Sequence, residues 1–70
     1  MMYNWNIDIW LKSGVKLECV YHGEEDTTTD VANKLFTGKP ANEMVGINGR
    51  KHSHNVLILI GEVAAVDIYI

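Results

Sequence analysis

Residues 56–70 read VLILIGEVAAVDIYI, two runs rich in β-branched and apolar residues that are separated by Gly61-Glu62. Such runs predict strands, and a two-residue connection with glycine first predicts a hairpin in which Ile60 lies opposite Val63. Because successive side chains of a strand point to opposite faces, this register divides the residues into two groups. One face carries Leu57, Leu59, Ala64, Val66, Ile68 and Ile70, and the other carries Val56, Ile58, Ile60, Val63, Ala65 and Tyr69.

Both faces of this predicted hairpin are apolar, and Asp67 alone interrupts them. Antiparallel sheets ordinarily bury one face and leave the other in water. The rest of the chain can cover one face, and a second copy of the chain is the simplest cover for the other. We therefore predict a homo-oligomer, with a small closed barrel that uses both faces internally as the alternative. The predicted interface residues are Trp10, Val56, Ile58, Ile60 and Tyr69.

The chain has 70 residues, 47% hydrophobic and 21% charged, which predicts one globular domain over residues 1–70. Its net charge of −3 speaks against nucleic-acid or anionic-membrane binding, which relies on concentrated lysine and arginine. Cys19 is the single cysteine, so we exclude an internal disulfide and predict a reducing, cytoplasmic location. Residues 1–4 lack the basic start of a signal peptide, and the run 56–70 is too short and too interrupted to span a bilayer.

The chain begins with a second predicted hairpin. Apolar residues occupy the odd positions from Tyr3 to Leu11 and again from Val15 to Tyr21, which predicts two strands. A three-residue loop at 12–14 keeps the apolar residues on one face, because it pairs Leu11 with Val15, Ile9 with Leu17 and Ile7 with Cys19. This register also places Gly14 where a left-handed backbone is needed and sets Trp10 opposite Lys16.

A short helix is predicted after this hairpin. Residues 27–30, TTTD, are close to a capping box, and an apolar stripe of Val31, Ala32, Leu35 and Phe36 follows. Gly38 and Pro40 end the helix. Residues 43–47 predict a strand and Asn48-Gly49 a turn. The fold prediction is therefore α+β in the order β-β-α-β-β-β, with a bent antiparallel sheet or partial small barrel and one short helix.

Residues 46–55, GINGRKHSHN, are the best candidate for a ligand site. Backbone amides of a tight turn together with arginine and lysine can form a concavity for an anion such as a nucleotide phosphate. The candidate ligand residues are Asn48, Arg50, Lys51, His52 and His54. The alternative interpretation, which we favour, is a solvated hairpin tip.

The sequence does not predict an enzyme, a metal site or a cofactor. Cys19, His22, His52 and His54 count to four zinc ligands, but strand alternation points Cys19 and His22 to opposite faces. Asp8 and Glu18 fall opposite each other in the first hairpin, which we interpret as an exposed pair near Lys16 rather than an acid and base couple. Nucleophilic catalysis needs a base held by a third group, and no such set is evident.

Two resemblances add to this interpretation. Residues 7–17, IDIWLKSGVKL, and 59–66, LIGEVAAV, resemble the two hairpins of Sm-like or SH3-like small barrels, which often form rings. The Sm pattern has glycine where Cys19 stands, a basic residue where Ile60 stands, and an Asp and Asn pair that is missing here, so RNA binding is not implied.

The whole chain also resembles short phage and prophage proteins of Gram-positive bacteria, with its hairpin, the helix TDVANKL at residues 29–35 and a β-rich tail. That resemblance implies a non-enzymatic accessory role, such as binding a host protein. The predicted function is a non-catalytic binding and assembly module that acts as a homo-oligomer. The alternative is a protein that binds or sequesters a small anion through the 46–55 loop.

Overall fold

The computed structural model describes residues 1–51 and 54–70, and the chain folds in the predicted order with α+β character. The described residues form one helix and five strands. These are β1 (Tyr3–Leu11), β2 (Lys16–Gly23), α1 (Thr28–Leu35), β3 (Met44–Gly49), β4 (Asn55–Leu59) and β5 (Val63–Tyr69), with a 3-10 turn (Ile60–Glu62) between β4 and β5. All strands join one antiparallel sheet in the order β4-β3-β2-β1-β5.

The first hairpin has the predicted register. Ile9 lies opposite Leu17, and the Leu11 N–H donates to the Val15 carbonyl at 2.9 Å, so residues 12–14 form the connection. Gly14 takes a φ of +93°, a conformation that a side chain disfavours. The Lys16 ammonium lies 5.3 Å from the centroid of the Trp10 ring, as their opposed positions predict.

Helix α1 also begins where the sequence indicates. The Asp30 N–H donates to Thr27 Oγ1 at 3.1 Å, which satisfies one of the free amides of the first turn. The helix buries Val31 and Leu35 of its apolar stripe against the sheet. Gly38, with φ +78°, turns the chain after it. At eight residues α1 is too short to persist alone, so its packing holds it in place.

The predicted hairpin of residues 56–70 is wrong, because β4 and β5 lie at opposite edges of the sheet. Strand β4 pairs with β3, with Val45 opposite Ile58, and β5 pairs with β1, with Ile9 opposite Val66. The 3-10 turn Ile60–Glu62 replaces the tight hairpin turn. Asn48-Gly49 likewise belongs to β3 instead of a turn. Residues 52 and 53, which separate β3 from β4 in the sequence, lie outside the described residues.

The link between the two edge strands requires the sheet to curl. Four steps between adjacent strands span about 19 Å in a flat sheet, at ~4.8 Å each. The four Cα steps from Leu59 to Val63 reach at most ~15 Å even when extended, and a 3-10 turn is much shorter. The Ile60 N–H donates to the Glu43 carbonyl and the Lys12 N–H to the Glu62 carbonyl, both at 2.9 Å. The turn therefore holds the end of β4 close to the end of β1.

The core lies on the concave side of the curled sheet, under α1. Its buried apolar residues are Trp5, Ile7, Ile9, Cys19, Val31, Leu35, Val45, Ile47 and Ile58. The predicted interface residue Ile58 is 2% exposed, so the structure places it in the core and not on an outer surface. Val66 and Ile68 pack against the same core. The sequence analysis placed Leu57 and Leu59 on the same face as Val66 and Ile68. This prediction is wrong for β4, because Leu57 and Leu59 point outward from the sheet.

Candidate functional site

A buried carboxylate lies on the outer face of strand β1, between β2 and β5. Asp8 is 5% exposed, although its neighbours Ile7 and Ile9 point the other way into the core. In the sheet register it lies between Glu18 of β2 and Asp67 of β5. Three acidic residues thus stand side by side on three strands. A charge buried in this way needs close partners.

Arg50, which follows β3 directly, is the main partner of Asp8. Its Nη2 donates to Asp8 Oδ1 at 2.7 Å and to the Cys19 carbonyl at 3.0 Å. Its backbone N–H donates to the Glu18 carbonyl at 3.0 Å, so the ladder between β2 and β3 sets the direction of the side chain. Arg50 Nε is buried without a hydrogen-bond partner among the described residues.

Tyr69 of β5 covers the other side of the carboxylate. Its hydroxyl donates to Asp8 Oδ2 at 3.0 Å, and the Arg50 guanidinium carbon lies 5.8 Å from the centroid of its ring. Lys16 Nζ approaches Asp8 Oδ2 at 3.9 Å. We call Asp8, Arg50, Tyr69 and Lys16 the Asp8 cluster.

The Asp8 cluster stabilises the charged form of the carboxyl. Burial by itself raises the pKa of Asp8, but the hydrogen bonds from Arg50 and Tyr69 and the charges of Arg50 and Lys16 outweigh burial, and the pKa falls below its ordinary value. The hydrogen bond to the Asp8 anion raises the pKa of Tyr69. Asp8 is thus an ion at neutral pH, and each of its two oxygens accepts a hydrogen bond from the chain. This arrangement favours a structural ion pair over an acid and base couple.

The predicted anion loop borders a shallow depression of about 540 Å³. Four of the five predicted ligand residues line it, namely Asn48, Arg50, Lys51 and His54, and the fifth, His52, lies outside the described residues. The two cationic side chains of this loop, Arg50 and Lys51, already pair with carboxylates. Arg50 binds Asp8, and Lys51 Nζ lies 3.0 Å from Glu18 Oε1, whose pKa the hydrogen bond from Lys51 lowers.

The cysteine and histidine residues do not converge. Cys19 is fully buried, and burial raises the pKa of its thiol, which disfavours the reactive thiolate. His22 lies on the opposite face, where its Nδ1 contacts Asn4 Oδ1. The His54 ring occupies the space beside Gly49 where a Cβ would stand. In the part of the chain that the structure describes, no group of three or more His, Cys, Asp or Glu side chains could hold a metal ion.

An exposed apolar surface lies on β3 and β4, at the edge of the sheet opposite to β5. Met44 of β3 faces Leu59 of β4, and Leu57 lies two residues along on the same outer face, opposite Gly46. The exposed fractions of Met44, Leu57 and Leu59 are 57%, 61% and 39%. We call these three side chains the β4 face.

The structure does not bring the five predicted interface residues together. Trp10 and Tyr69 lie on the outer face of β1 and β5. Ile58 is in the core, and the partly buried Val56 packs against it from the same strand face. Ile60 begins the 3-10 turn and is partly exposed. Sequence reasoning assigned the face of β4 that carries Val56 and Ile58 to the surface, whereas the exposed face carries Leu57 and Leu59.

No family model, curated protein or solved structure matches the chain. Across residues 1–51 and 54–70, no helix is long and apolar enough to cross a membrane. The β4 face and the depression beside the 46–55 loop are the two features from which we infer a function.

Proposed function

We propose that the chain is a small non-catalytic binding and assembly module that acts as a homo-oligomer and self-associates through the β4 face. The observation that carries this proposal is the adjacency of Met44, Leu57 and Leu59 on one exposed surface. Contiguous apolar patches are costly in water, and on soluble proteins they mark interaction sites. The face contains no charged side chain, so two copies of a chain with net charge −3 can approach there without direct repulsion.

Ile70 is 72% exposed, but the large apolar side chains of β5 are used within the chain, which supports assigning assembly to β4. The outward positions of β5 include Ala65, Asp67 and Tyr69, and the Tyr69 hydroxyl binds Asp8. The inward residues Val66 and Ile68 pack on the core. Within residues 1–51 and 54–70, β4 alone has large aliphatic side chains in a row on the outer face of a strand.

The test of this proposal is the solution mass of the Leu57→Gln/Leu59→Gln variant beside that of the wild type. Burial of a leucine contributes about 1.5–3 kcal/mol, so we expect the dissociation constant to rise at least ~100-fold. Val15→Gln is the matched control, because Val15 is 51% exposed in the first hairpin, and it should leave self-association unchanged. Analytical ultracentrifugation gives the constants. A wild-type protein that stays monomeric at about 1 mM, where association is worth only ~4 kcal/mol, would contradict the proposal.

The wider role that we propose is capture of another protein in the cytoplasm, as the resemblance to phage accessory proteins implies. The partly exposed Trp10, held beside Lys16, is the side chain best suited to a protein contact on the outer face of β1. The curled sheet is compatible with a partial barrel of the Sm-like or SH3-like kind.

The depression beside the 46–55 loop supports a second candidate function, the binding of a small anion. Asn48, Arg50, Lys51 and His54 converge there. An incoming phosphate must compete with Glu18 for Lys51 and with Asp8 for Arg50. We therefore expect orthophosphate to shift the amide resonances of Gly49 and Lys51 only at about millimolar concentration or above. Glu18→Gln should strengthen this binding, and its failure to do so, or the absence of any shift, would remove the candidate.

A further inference from the structure

We propose that two copies pair edge to edge through β4, antiparallel about a two-fold axis at Leu57, and so form one continuous ten-stranded sheet. The inference rests on the proposed self-association and specifies its geometry. It predicts a closed dimer in which each copy presents the same strand to the other.

The backbone groups that face the free edge of β4 follow from two hydrogen bonds. The Gly49 N–H donates to the His54 carbonyl at 3.0 Å, and the Ile60 N–H donates to the Glu43 carbonyl at 2.9 Å. In an antiparallel ladder, hydrogen-bonded and non-hydrogen-bonded pairs alternate. Val56 and Ile58 therefore direct their N–H and C=O groups toward β3, in step with His54 and Ile60. The outward N–H and C=O groups belong to Asn55, Leu57 and Leu59.

These outward groups are self-complementary in one register. With the axis at Leu57, Leu57 of one copy lies opposite the partner's Leu57. Asn55 lies opposite the partner's Leu59, and Leu59 lies opposite the partner's Asn55. All three outward residues then form hydrogen-bonded pairs, each exchanging two bonds. An axis at Val56 or Ile58 leaves only two such pairs within β4. The chosen register also brings the two Leu57 side chains side by side on the outer face.

The composition of β4 favours pairing at this edge. Edge strands are normally protected by charged residues or proline, and residues 55–60, NVLILI, contain neither. The other edge differs, because β5 carries Asp67 and α1 lies beside it, where Thr28 and Ala32 adjoin Val66 and Ile68. Pairing of β4 with a second β4 sets no like charges against each other.

The size of the β4 face explains why edge pairing is needed. A standard protein interface involves about 20–30 residues on each side. The β4 face supplies three side chains, which is too few for a lasting contact by face packing alone. Edge pairing adds the backbone of the whole strand and the partly exposed side chains of Val56 and Ile60. The dimer is therefore at the small end of specific interfaces.

Disulfide trapping tests this geometry in the intact chain. In the proposed dimer the two Leu57 Cα atoms form a hydrogen-bonded pair about 5.5 Å apart, which a disulfide can bridge. Under mild oxidation, Leu57→Cys should give covalent dimers. Leu59→Cys is the matched control on the same face, because four residues separate the two copies of that position, about 14 Å along the strand. We expect it to react at least tenfold more slowly. The wild type, whose Cys19 is fully buried, gives the background rate.

A second measurement separates the geometry from self-association itself. Mixing the Asn55→Cys and Leu59→Cys variants should restore fast cross-linking, because the proposed register sets these positions opposite each other. If the wild type is a dimer but Leu57→Cys reacts no faster than Leu59→Cys, edge pairing at Leu57 is wrong and self-association stands. A mass above that of a dimer overturns the closed pair in the same way. A monomer overturns both proposals.

Discussion

The Arg50→Ala variant is expected to lose about 3 kcal/mol of unfolding free energy, since removing the closest cationic partner of a buried carboxylate leaves its charge only partly compensated. Asp8 is 5% exposed, and the 2.7 Å bond from Arg50 Nη2 is its closest contact with a cation. Lys16 and Tyr69 remain beside the carboxylate, and the Arg50 side chain is 25% exposed, so the loss stays below that of a fully isolated charge. Urea denaturation followed by tryptophan fluorescence measures it.

Lys51→Ala provides the comparison for Arg50→Ala. Lys51 also pairs with an acidic residue, Glu18, but its side chain is 74% exposed, so the effect should be much smaller. Adding Asp8→Asn to Arg50→Ala removes the uncompensated charge and should recover part of the lost stability. Equal losses for Arg50→Ala and Lys51→Ala would contradict the structural role assigned to the Asp8 cluster.

The cost of Arg50→Ala should shrink in acid. The pKa of Asp8 is lower in the folded wild type than in the unfolded chain, so its contribution is present above about pH 4 and is lost as the pH falls through the folded value. Without Arg50, burial opposes ionisation more effectively and the pKa of Asp8 rises toward or above the unfolded value. The variant then loses less stability than the wild type on acidification. The difference between the two proteins should therefore be larger at pH 7 than at pH 3.

The first hairpin and α1 could be predicted because local rules decide them. The alternation in β1 and β2 tolerates only a register that keeps Ile9 beside Leu17, and Gly14 suits the three-residue loop. The cap at Thr27 depends on an amide three residues away. Each of these features needs no knowledge of the distant chain.

The pairing of residues 56–70 could not be predicted in the same way. Two apolar runs joined by Gly61-Glu62 suit either a hairpin or strands at opposite edges of a curled sheet. The choice is made by contacts with distant residues, such as the Lys12 N–H bond to the Glu62 carbonyl. The prediction that Asp8 lies opposite Glu18 near Lys16 is confirmed, but the prediction that the pair is exposed is wrong for Asp8, and the reason is related. Asp8 occupies an ordinary outward position in the alternation, and its burial depends on Arg50, 42 residues away in the sequence.

Ile58→Ala is expected to lower the unfolding free energy by about 3 kcal/mol, within the 2–5 kcal/mol usual for truncating a buried aliphatic side chain to alanine. Ile58 is 2% exposed and lies opposite Val45 in the ladder between β4 and β3. Its neighbour Leu57 is 61% exposed, so Leu57→Ala should change the stability of the monomer by less than about 0.5 kcal/mol. Comparing the two variants therefore shows which face of β4 points into the core.

The two variants must be compared at a protein concentration low enough for the monomer to dominate, because self-association adds to apparent stability. As the protein concentration is raised, the melting temperature of Leu57→Ala should stay constant. The melting temperature of Ile58→Ala should still rise with concentration, but from a lower value than that of the wild type. If the monomer tolerates Ile58→Ala but unfolds readily with Leu57→Ala, the assignment of the inner and outer faces of β4 is reversed. That result would restore the hairpin grouping, in which Leu57 shares a face with Val66 and Ile68, and would remove the β4 face as an assembly surface.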